Sequence, residues 1–322
     1  MQYSTQSGFI RKGLLIIVVG IAIFVLGYRA FIVPPSAFPT PYHLTIESGQ
    51  TLFSISHELE ADNVIKSPRA FEILMLTFGN ETDVTAGEYY FDAPMTVVDI
   101  AMRISGKQFG IDKKKVTFPE GFSTVQMAER LESVFPEFNT SRYLELAQGS
   151  EGYLFPDTYG FFPSLAPEVV IAAQKRNFEK KIAPFEDEIA ASGHSLSDIV
   201  IMASLIEKEA SGASDRGLVS GILWKRIEEG MPLQVDAPFL YIIGKTSAQL
   251  TRSDLAKDHP YNTYRNKGLT PGPIGNPGIA SIVAALRPVE SPYLYYLHDD
   301  DGQIHYASTY KEHQQNITKY LK

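Results

Sequence analysis

Two carboxylates close an apolar run. Ile199-Val200-Ile201-Met202-Ala203-Ser204-Leu205-Ile206 is followed directly by Glu207-Lys208-Glu209. A helix that is apolar on every side is buried. A carboxylate at its end is partly desolvated, and desolvation favours the protonated acid. A carboxyl group that keeps its proton near neutral pH can serve as a general acid. The competing reading is that both glutamates mark the point where the helix reaches water. Two residues along a helix means about 200° of rotation, so the pair cannot share one cleft and is not a matched acid and base. Helical side chains lie over the preceding turn. Glu207 then covers the small Ala203 and Ser204, which leave room for a substrate. Glu209 covers Leu205 and Ile206, which fill that room. Glu207 is therefore the expected functional carboxylate.

Polar and aromatic residues cluster on three further segments. Tyr153, Phe155, Asp157 and Tyr159 fall within residues 151–159, Gln234 and Asp236 follow Leu233, and Tyr261-Asn262-Thr263-Tyr264 opens a loop. Aromatic faces with amide and hydroxyl groups beside them suit a sugar, which has apolar faces and a rim of hydroxyls. Any one of these aromatics also fits a core. Their grouping on Gly- and Pro-rich segments is what points to carbohydrate. No G-x-S-x-G elbow, H-E-x-x-H pair or phosphate-binding loop occurs. The seven histidines are scattered. His298 and His305 can meet across a hairpin but lack a third ligand, so no metal site is expected. Asp299-Asp300-Asp301 reads as a solvated turn, since no distal bidentate Glu completes a calcium loop.

These groups need elements to hold them. The 322 residues suffice for two modest domains with ample core. The net charge of −8 argues against nucleic acid as a partner. The absence of cysteine excludes disulfides, thiol catalysis and a lipidated N-terminal Cys. Gly13 to Val33 is one apolar run broken only by Arg29, with Arg11-Lys12 before it. It is expected to be a single transmembrane helix, with Arg29 snorkelling at the far interface. No small-x-small cleavage site follows, which disfavours a signal peptide. The basic pair assigns residues 1–12 to the cytoplasm and the rest of the chain to the outside. Pro34 to Pro41 cannot form a helix or central strand and is expected to be a stiff spacer.

A strand–turn–helix pattern then recurs three times. Leu44-Thr45-Ile46 leads to a helix through Ile55 and Leu59, Tyr89-Tyr90-Phe91 to one through Val97 and Ile104, and Val116-Thr117-Phe118 to one through Met127 and Leu131. A Ser or Thr suited to capping precedes each helix. Three related small α+β modules would give this pattern, as would local physics alone. From Glu120 to about Gly230 the chain is mostly helical, and Ser195-Leu196-Ser197-Asp198 fits a capping box for the helix that carries Glu207. Residues 260–277 have loop composition. Tyr293 to Leu297 and Ile304 to Tyr306 flank a turn at Asp301-Gly302 as a hairpin. The expected fold class is α+β.

Together these residues resemble a known family. Ala203-Ser204-Leu205-Ile206-Glu207-Lys208-Glu209, Leu154-Phe155-Pro156-Asp157-Thr158-Tyr159 and Leu233-Gln234-Val235-Asp236 are similar to segments of the endolytic murein transglycosylases (MltG or YceG-like proteins). The most specific match is Tyr261-Asn262-Thr263-Tyr264 followed by Gly268-Leu269-Thr270-Pro271-Gly272-Pro273-Ile274-Gly275-Asn276-Pro277-Gly278. Pro238 and Gly275 are mild departures from the usual pattern. His43 to Ile55 resembles the opening of a LysM repeat, although the second half, Asp62 to Lys107, departs from that repeat. The resemblance implies residues 1–12 in the cytoplasm, an anchor over 13–33, a spacer over 34–41, a LysM-like module over 42–110 and a larger α+β catalytic domain over 111–322. It implies a membrane-anchored enzyme of the cytoplasmic membrane. Such an enzyme cleaves the β-1,4 bond between N-acetylmuramic acid and N-acetylglucosamine inside peptidoglycan strands, leaves 1,6-anhydro ends and limits nascent strand elongation. Glu207 would be the catalytic residue, and Tyr153, Asp157, Tyr159, Gln234, Asp236, Tyr261, Asn262, Tyr264 and Asn276 would bind substrate. Neither metal nor cofactor is implied. The implied partners are glycan strands, the membrane and peptidoglycan synthases (penicillin-binding proteins). The alternatives are a hydrolytic muramidase, with Asp157 or Asp236 activating water, and a non-catalytic anchored scaffold.

Overall fold

The computed structural model describes residues 4–78, 84–110, 112–163, 165–210, 212–299 and 301–321, with the backbone alone for 4–16 and 247. The side chains of Arg11 and Lys12, those at the start of the apolar run, residues 79–83 of the Asp62–Lys107 stretch and Asp300 thus lie outside the described residues. The chain divides into two compact units, 1–113 and 114–322.

The smaller unit begins with α1 (Ser4–Phe31). From Ile17 to Phe31 its side chains are largely apolar and mostly exposed. Among the described residues no single helix is long and apolar enough to cross a membrane, and Ile17–Phe31 is a shorter apolar helix. Next come β1 (Tyr42–Ile46), α2 (Leu52–Ala61), α3 (Pro68–Phe78), β2 (Gly87–Phe91) and α4 (Val97–Ser105). β1 pairs antiparallel with β2, Tyr42 opposite Phe91 and Ile46 opposite Gly87. Alternate residues of β1, Tyr42, Leu44 and Ile46, point inward, as a half-buried strand requires. They meet Ile55, Leu59, Phe71, Met75, Ile100 and Ile104 in one core. The segment expected to be a stiff spacer is packed against the small unit as a strap. Phe38 is buried in that core and Ile32 packs against it. The Ile32 carbonyl accepts from Val97 N–H, and Lys66 Nζ donates to the Arg29 carbonyl.

All three strand–turn–helix patterns occur, with Thr51, Thr96 and Ser123 capping their helices. They are not three modules. The first two supply the paired strands of one sheet, and the third opens the larger unit, where β3 (Lys114–Thr117) pairs with β4 (Thr158–Phe161). That unit continues β3–α5 (Thr124–Val134)–α6 (Thr140–Leu146)–β4–α7 (Pro167–Ile182)–α8 (Glu186–Ala191). Then follow α9 (Leu196–Glu209), α10 (Ala213–Glu228), α11 (Ala237–Ile243), α12 (Arg252–Leu255) and α13 (Ile279–Leu286). A hairpin of β5 (Tyr295–His298) and β6 (Ile304–Ala307) precedes α14 (Tyr310–Tyr320). The architecture is α+β, with a helical core about α9 and a second core about β3, β4 and α5.

α9 starts at the expected capping box: the Ser195 hydroxyl accepts from Asp198 N–H, and the Asp198 carboxylate accepts from Ser195 N–H. Its eight residues Ile199 to Ile206 are all buried. α13, α10 and α11 surround it. The helix is thus a central post, and the two glutamates sit where it emerges.

Candidate functional site

The two carboxylates leave α9 on different sides, as helix geometry requires. Glu209 meets the hairpin and α11. The Tyr296 hydroxyl donates to its Oε2 at 3.0 Å, and the Ala237 N–H faces it as a second donor. His298 Nε2 lies 2.6 Å from the Glu209 carbonyl oxygen, at the free C-terminal end of α9. Burial pushes the Glu209 carboxyl up to about 7, and the charge of Asp236 adds to that rise. The hydrogen bonds from Tyr296 and Ala237 oppose it without cancelling it.

Behind Glu209 stand three residues expected at a sugar site. Tyr264 donates its hydroxyl to Asp236 Oδ1 at 2.6 Å. Gln234 adopts φ +53°, a left-handed conformation uncommon for a side-chain-bearing residue. Buried Arg226 holds it, with Nη2 donating to Gln234 Oε1 at 2.6 Å and Nη1 to the Leu233 carbonyl at 2.9 Å. The strand-like segment 233–236 is tied to the Tyr261–Tyr264 turn through Gln234 N–H to the Thr263 carbonyl and Thr263 Oγ1 to the Val235 carbonyl. Nothing in the sequence marks Arg226 as a site residue, since a basic residue on a helix usually faces water.

Glu207 faces a different set. Its Oε2 accepts from Gly278 N–H at 2.9 Å, and Arg216 Nη2 lies 3.5 Å from its Oε1. Its side chain is only 6 % exposed. A second carboxylate stands close by. A Cβ on Gly278 would collide with the carboxylate of Glu120, and Gly121, at φ +77°, lies against Glu207 Cγ. Burial, then the charge of Glu207, pushes the Glu120 carboxyl up, while Arg216 pulls it down. Only a structure could show this, because 87 residues separate Glu120 from Glu207 in the chain. Contrary to the expectation from the helical rotation alone, the two carboxylates do share a cleft: Glu207, Glu209, Asp215, Arg216 and His298 line one of about 300 Å³, because both side chains sit at the exposed C-terminal end of α9.

The two asparagines expected to touch substrate are buried staples. Asn276 Oδ1 accepts from Gly152 and Leu154 N–H at 2.9 and 3.0 Å. Its Nδ2 donates to the Phe122 carbonyl and to Glu151 Oε1 at 3.0 and 2.9 Å. Asn262 donates to the Leu255 and Lys257 carbonyls and accepts from Tyr264 N–H. Both are fully buried, so their amides hold loops together. Tyr261 packs beside Tyr241. Tyr153, Asp157 and Tyr159 gather instead on α7: Tyr153 packs edge-on against Phe178, and Asn177 donates to both Asp157 Oδ2 and the Tyr159 hydroxyl. His298 and His305, which could have met across the hairpin, have separate partners: His305 pairs with Asp299 at 2.7 Å, while His298 reaches α9.

Glu151, beside Asn276, is likewise pushed up to about 6 by burial. Both it and Glu209 ionise near 4.3 in an unfolded chain. A raised folded value favours folding fully below that pH and progressively less as pH rises through 6 and 7. The stability of the wild type relative to Glu209→Gln should therefore fall between pH 5 and pH 8. Paired urea titrations at the two pH values measure it, and a difference that stays constant or grows would count against a buried, proton-holding Glu209.

The site thus holds a carboxyl group that burial pushes up to about 7, with tyrosine hydroxyls and a second carboxylate around it and an open cleft beside it. Comparison with known proteins finds relatives of the chain as a whole. The YceG-like family description matches residues 44–319. An endolytic murein transglycosylase of Bacillus subtilis (strain 168) is 31% identical over 309 residues, covering 88% of this chain and 85% of the relative. One from Streptococcus pneumoniae serotype 2 is 26% identical over 320 residues, and the match spans 86% of this chain and 58% of that longer protein. A yceG-like protein of Listeria monocytogenes, known from a 2.6 Å crystal structure, superposes with a TM-score of 0.58 at 29% identity. That match covers 85% of this chain and 98% of the Listeria chain.

Proposed function

The chain belongs to the YceG-like family, and from that premise we propose that it is an endolytic peptidoglycan lytic transglycosylase whose general acid sits at the end of α9. It cleaves the β-1,4 bond between N-acetylmuramic acid and N-acetylglucosamine within a glycan strand and leaves a 1,6-anhydro end. Glycosidases ordinarily use two carboxylates, one as acid and one as nucleophile or base. Here the nucleophile is the substrate's own C6 hydroxyl, already tethered and at high effective concentration. One carboxyl group can protonate the leaving oxygen and then take the hydroxyl proton.

The observation that carries the reading is the buried carboxyl of Glu209, which is raised to about 7 and opens on a cleft. Glu209 has only neutral donors on its carboxylate, Tyr296 and Ala237, whereas Glu207 accepts from Gly278 N–H and lies 3.5 Å from Arg216. Glu207 lines the same cleft and is the second candidate. Gln234, Asp236 and Tyr264 surround the acid, and Tyr153, Asp157 and Tyr159 would contact the strand further along, beside α7.

The exposed apolar face of Ile17–Phe31 supports an anchor over 13–33, with residues 1–12 in the cytoplasm and the catalytic unit on the outer side of the cytoplasmic membrane. The β–α–α–β order of residues 42–91 supports a LysM-like module. Glycan strands, the membrane and a peptidoglycan synthase are the partners of this reading.

Mass analysis of glycan strands digested in ¹⁸O-labelled water tests it. Anhydro ends without label are expected. Labelled reducing ends would make the protein a hydrolytic muramidase, and intact strands a scaffold.

A further inference from the structure

We propose that Arg226 is a positioning residue for substrate: it fixes the Gln234 side chain so that the amide nitrogen donates to an acetamido carbonyl oxygen of the bound glycan strand, and the protein thereby prefers N-acetylated sugars. The inference rests on the reading of a glycan strand as substrate and is independent of which glutamate is the acid.

Leu233 and Val235 are buried, and Gln234 between them is exposed. Its φ of +53° is one that glycine takes freely and a side-chain-bearing residue adopts only under strain. A glutamine at this position therefore has to be explained by its side chain. The backbone is pinned on both sides: Gln234 N–H donates to the Thr263 carbonyl at 3.0 Å, and Val235 N–H to Thr263 Oγ1 at 3.2 Å. The side chain is pinned too, by Arg226 Nη2 donating to its Oε1 at 2.6 Å. A guanidinium carries donors only, so the amide atom that faces it is the oxygen. The amide nitrogen points away from it, and among the described residues no acceptor meets that nitrogen. Backbone and side chain together hold an N–H donor group at the surface in one orientation.

The surroundings of Arg226 show why an amide stands there. Arg226 is 4 % exposed. Among the described residues it pairs with no carboxylate: Nη1 donates to the Leu233 carbonyl at 2.9 Å, Cζ lies 5.4 Å over the Tyr295 ring, and Nε has no hydrogen-bond partner. A buried guanidinium is best satisfied by a carboxylate, which brings both charge and matching geometry. A glutamate at 234 would supply one. Glutamine leaves the charge uncompensated, but it presents N–H groups where glutamate would present only acceptors. A cation on the amide oxygen also polarises the amide and strengthens it as a donor. On the sugars of a peptidoglycan strand the strongest acceptors are the carbonyl oxygens of the acetamido groups. The clamp also stands near the end of α9: Tyr296, the residue after Tyr295, donates to Glu209 at 3.0 Å.

The test uses the full-length protein in detergent. Isothermal titration measures binding of the N-acetylglucosamine tetramer and of the same tetramer stripped of its acetyl groups, with kcat and KM for isolated glycan strands alongside. Wild type should prefer the acetylated tetramer. Gln234→Glu keeps the shape and gives the guanidinium a carboxylate, so it should fold at least as well, but it replaces the outward donor with an acceptor. Its affinity for the acetylated tetramer should fall roughly three- to tenfold, the worth of one hydrogen bond, while that for the deacetylated tetramer does not fall. KM for strands should rise more than kcat falls. Arg226→Lys keeps the charge but not the two-pronged grip, and it should lose the same preference, with Gln234→Glu adding little to it. An unchanged preference in Gln234→Glu overturns the proposal and leaves the clamp purely structural. A wild type that does not prefer the acetylated tetramer overturns it as well, and so does an equal loss of affinity for both tetramers. The expected pattern of binding in a protein that cuts no strand would uphold the clamp and sink the transglycosylase reading instead.

Discussion

Glu209→Gln is expected to cut strand cleavage by at least about 10²-fold, and toward 10⁴-fold, the range that general acid–base catalysis contributes. Glutamine keeps the shape of the side chain and still accepts from Tyr296 and Ala237, so the hairpin and α11 should stay in place. What it cannot do is give a proton to the leaving oxygen and recover one from the attacking hydroxyl. One residue serves both steps in this scheme, so neither step survives the substitution. Glu207→Gln provides the comparison. It keeps an acceptor for Gly278 N–H but weakens the pairing with Arg216, and a far smaller loss is expected. Single-turnover cleavage of defined strands, with circular dichroism to verify folding, decides the matter. A larger loss in Glu207→Gln would return the role to Glu207, and equal losses would mean that the two sides of α9 are not functionally distinct.

The second large effect is on stability. Asn276→Ala should destabilise the larger unit by about 3–5 kcal/mol, because each buried group left unpaired costs about 1–3 kcal/mol. The substitution strands the Gly152 and Leu154 N–H groups, the Phe122 carbonyl and one oxygen of Glu151 together. These belong to segments far apart in the chain, so the loss falls on the assembly of the site as well as on its stability. Urea unfolding at pH 7 measures it. A loss below about 1 kcal/mol, with turnover reduced, would mark Asn276 as a substrate contact instead.

Much of the frame was legible in the sequence. The capping box at Ser195, the buried run of α9, the hairpin and the three capped helices follow from local rules that act over a few residues. The rotation between Glu207 and Glu209 was legible for the same reason. Which groups would surround Glu209 was not, because Tyr296, Ala237 and Asp236 reach it from segments 27 to 87 residues away. Glu120 and Arg226 were missed on the same ground. The asparagines show a different limit. Asn262 and Asn276 sit in loop composition that suits a binding groove, yet an amide that ties loops together and one that binds a sugar look alike in sequence. Burial separates the two, and burial is a property of the assembled fold.

The packed strap from Pro34 to Pro41 has a mechanical consequence. Eight free residues would let the small unit wander over about 15 Å. With Phe38 in the core and the Ile32 carbonyl bonded to Val97 N–H, that contour length is spent and no slack remains. The small unit is then a stiff extension of α1. Any rotation of that helix turns the unit with it instead of being absorbed by a loose tether.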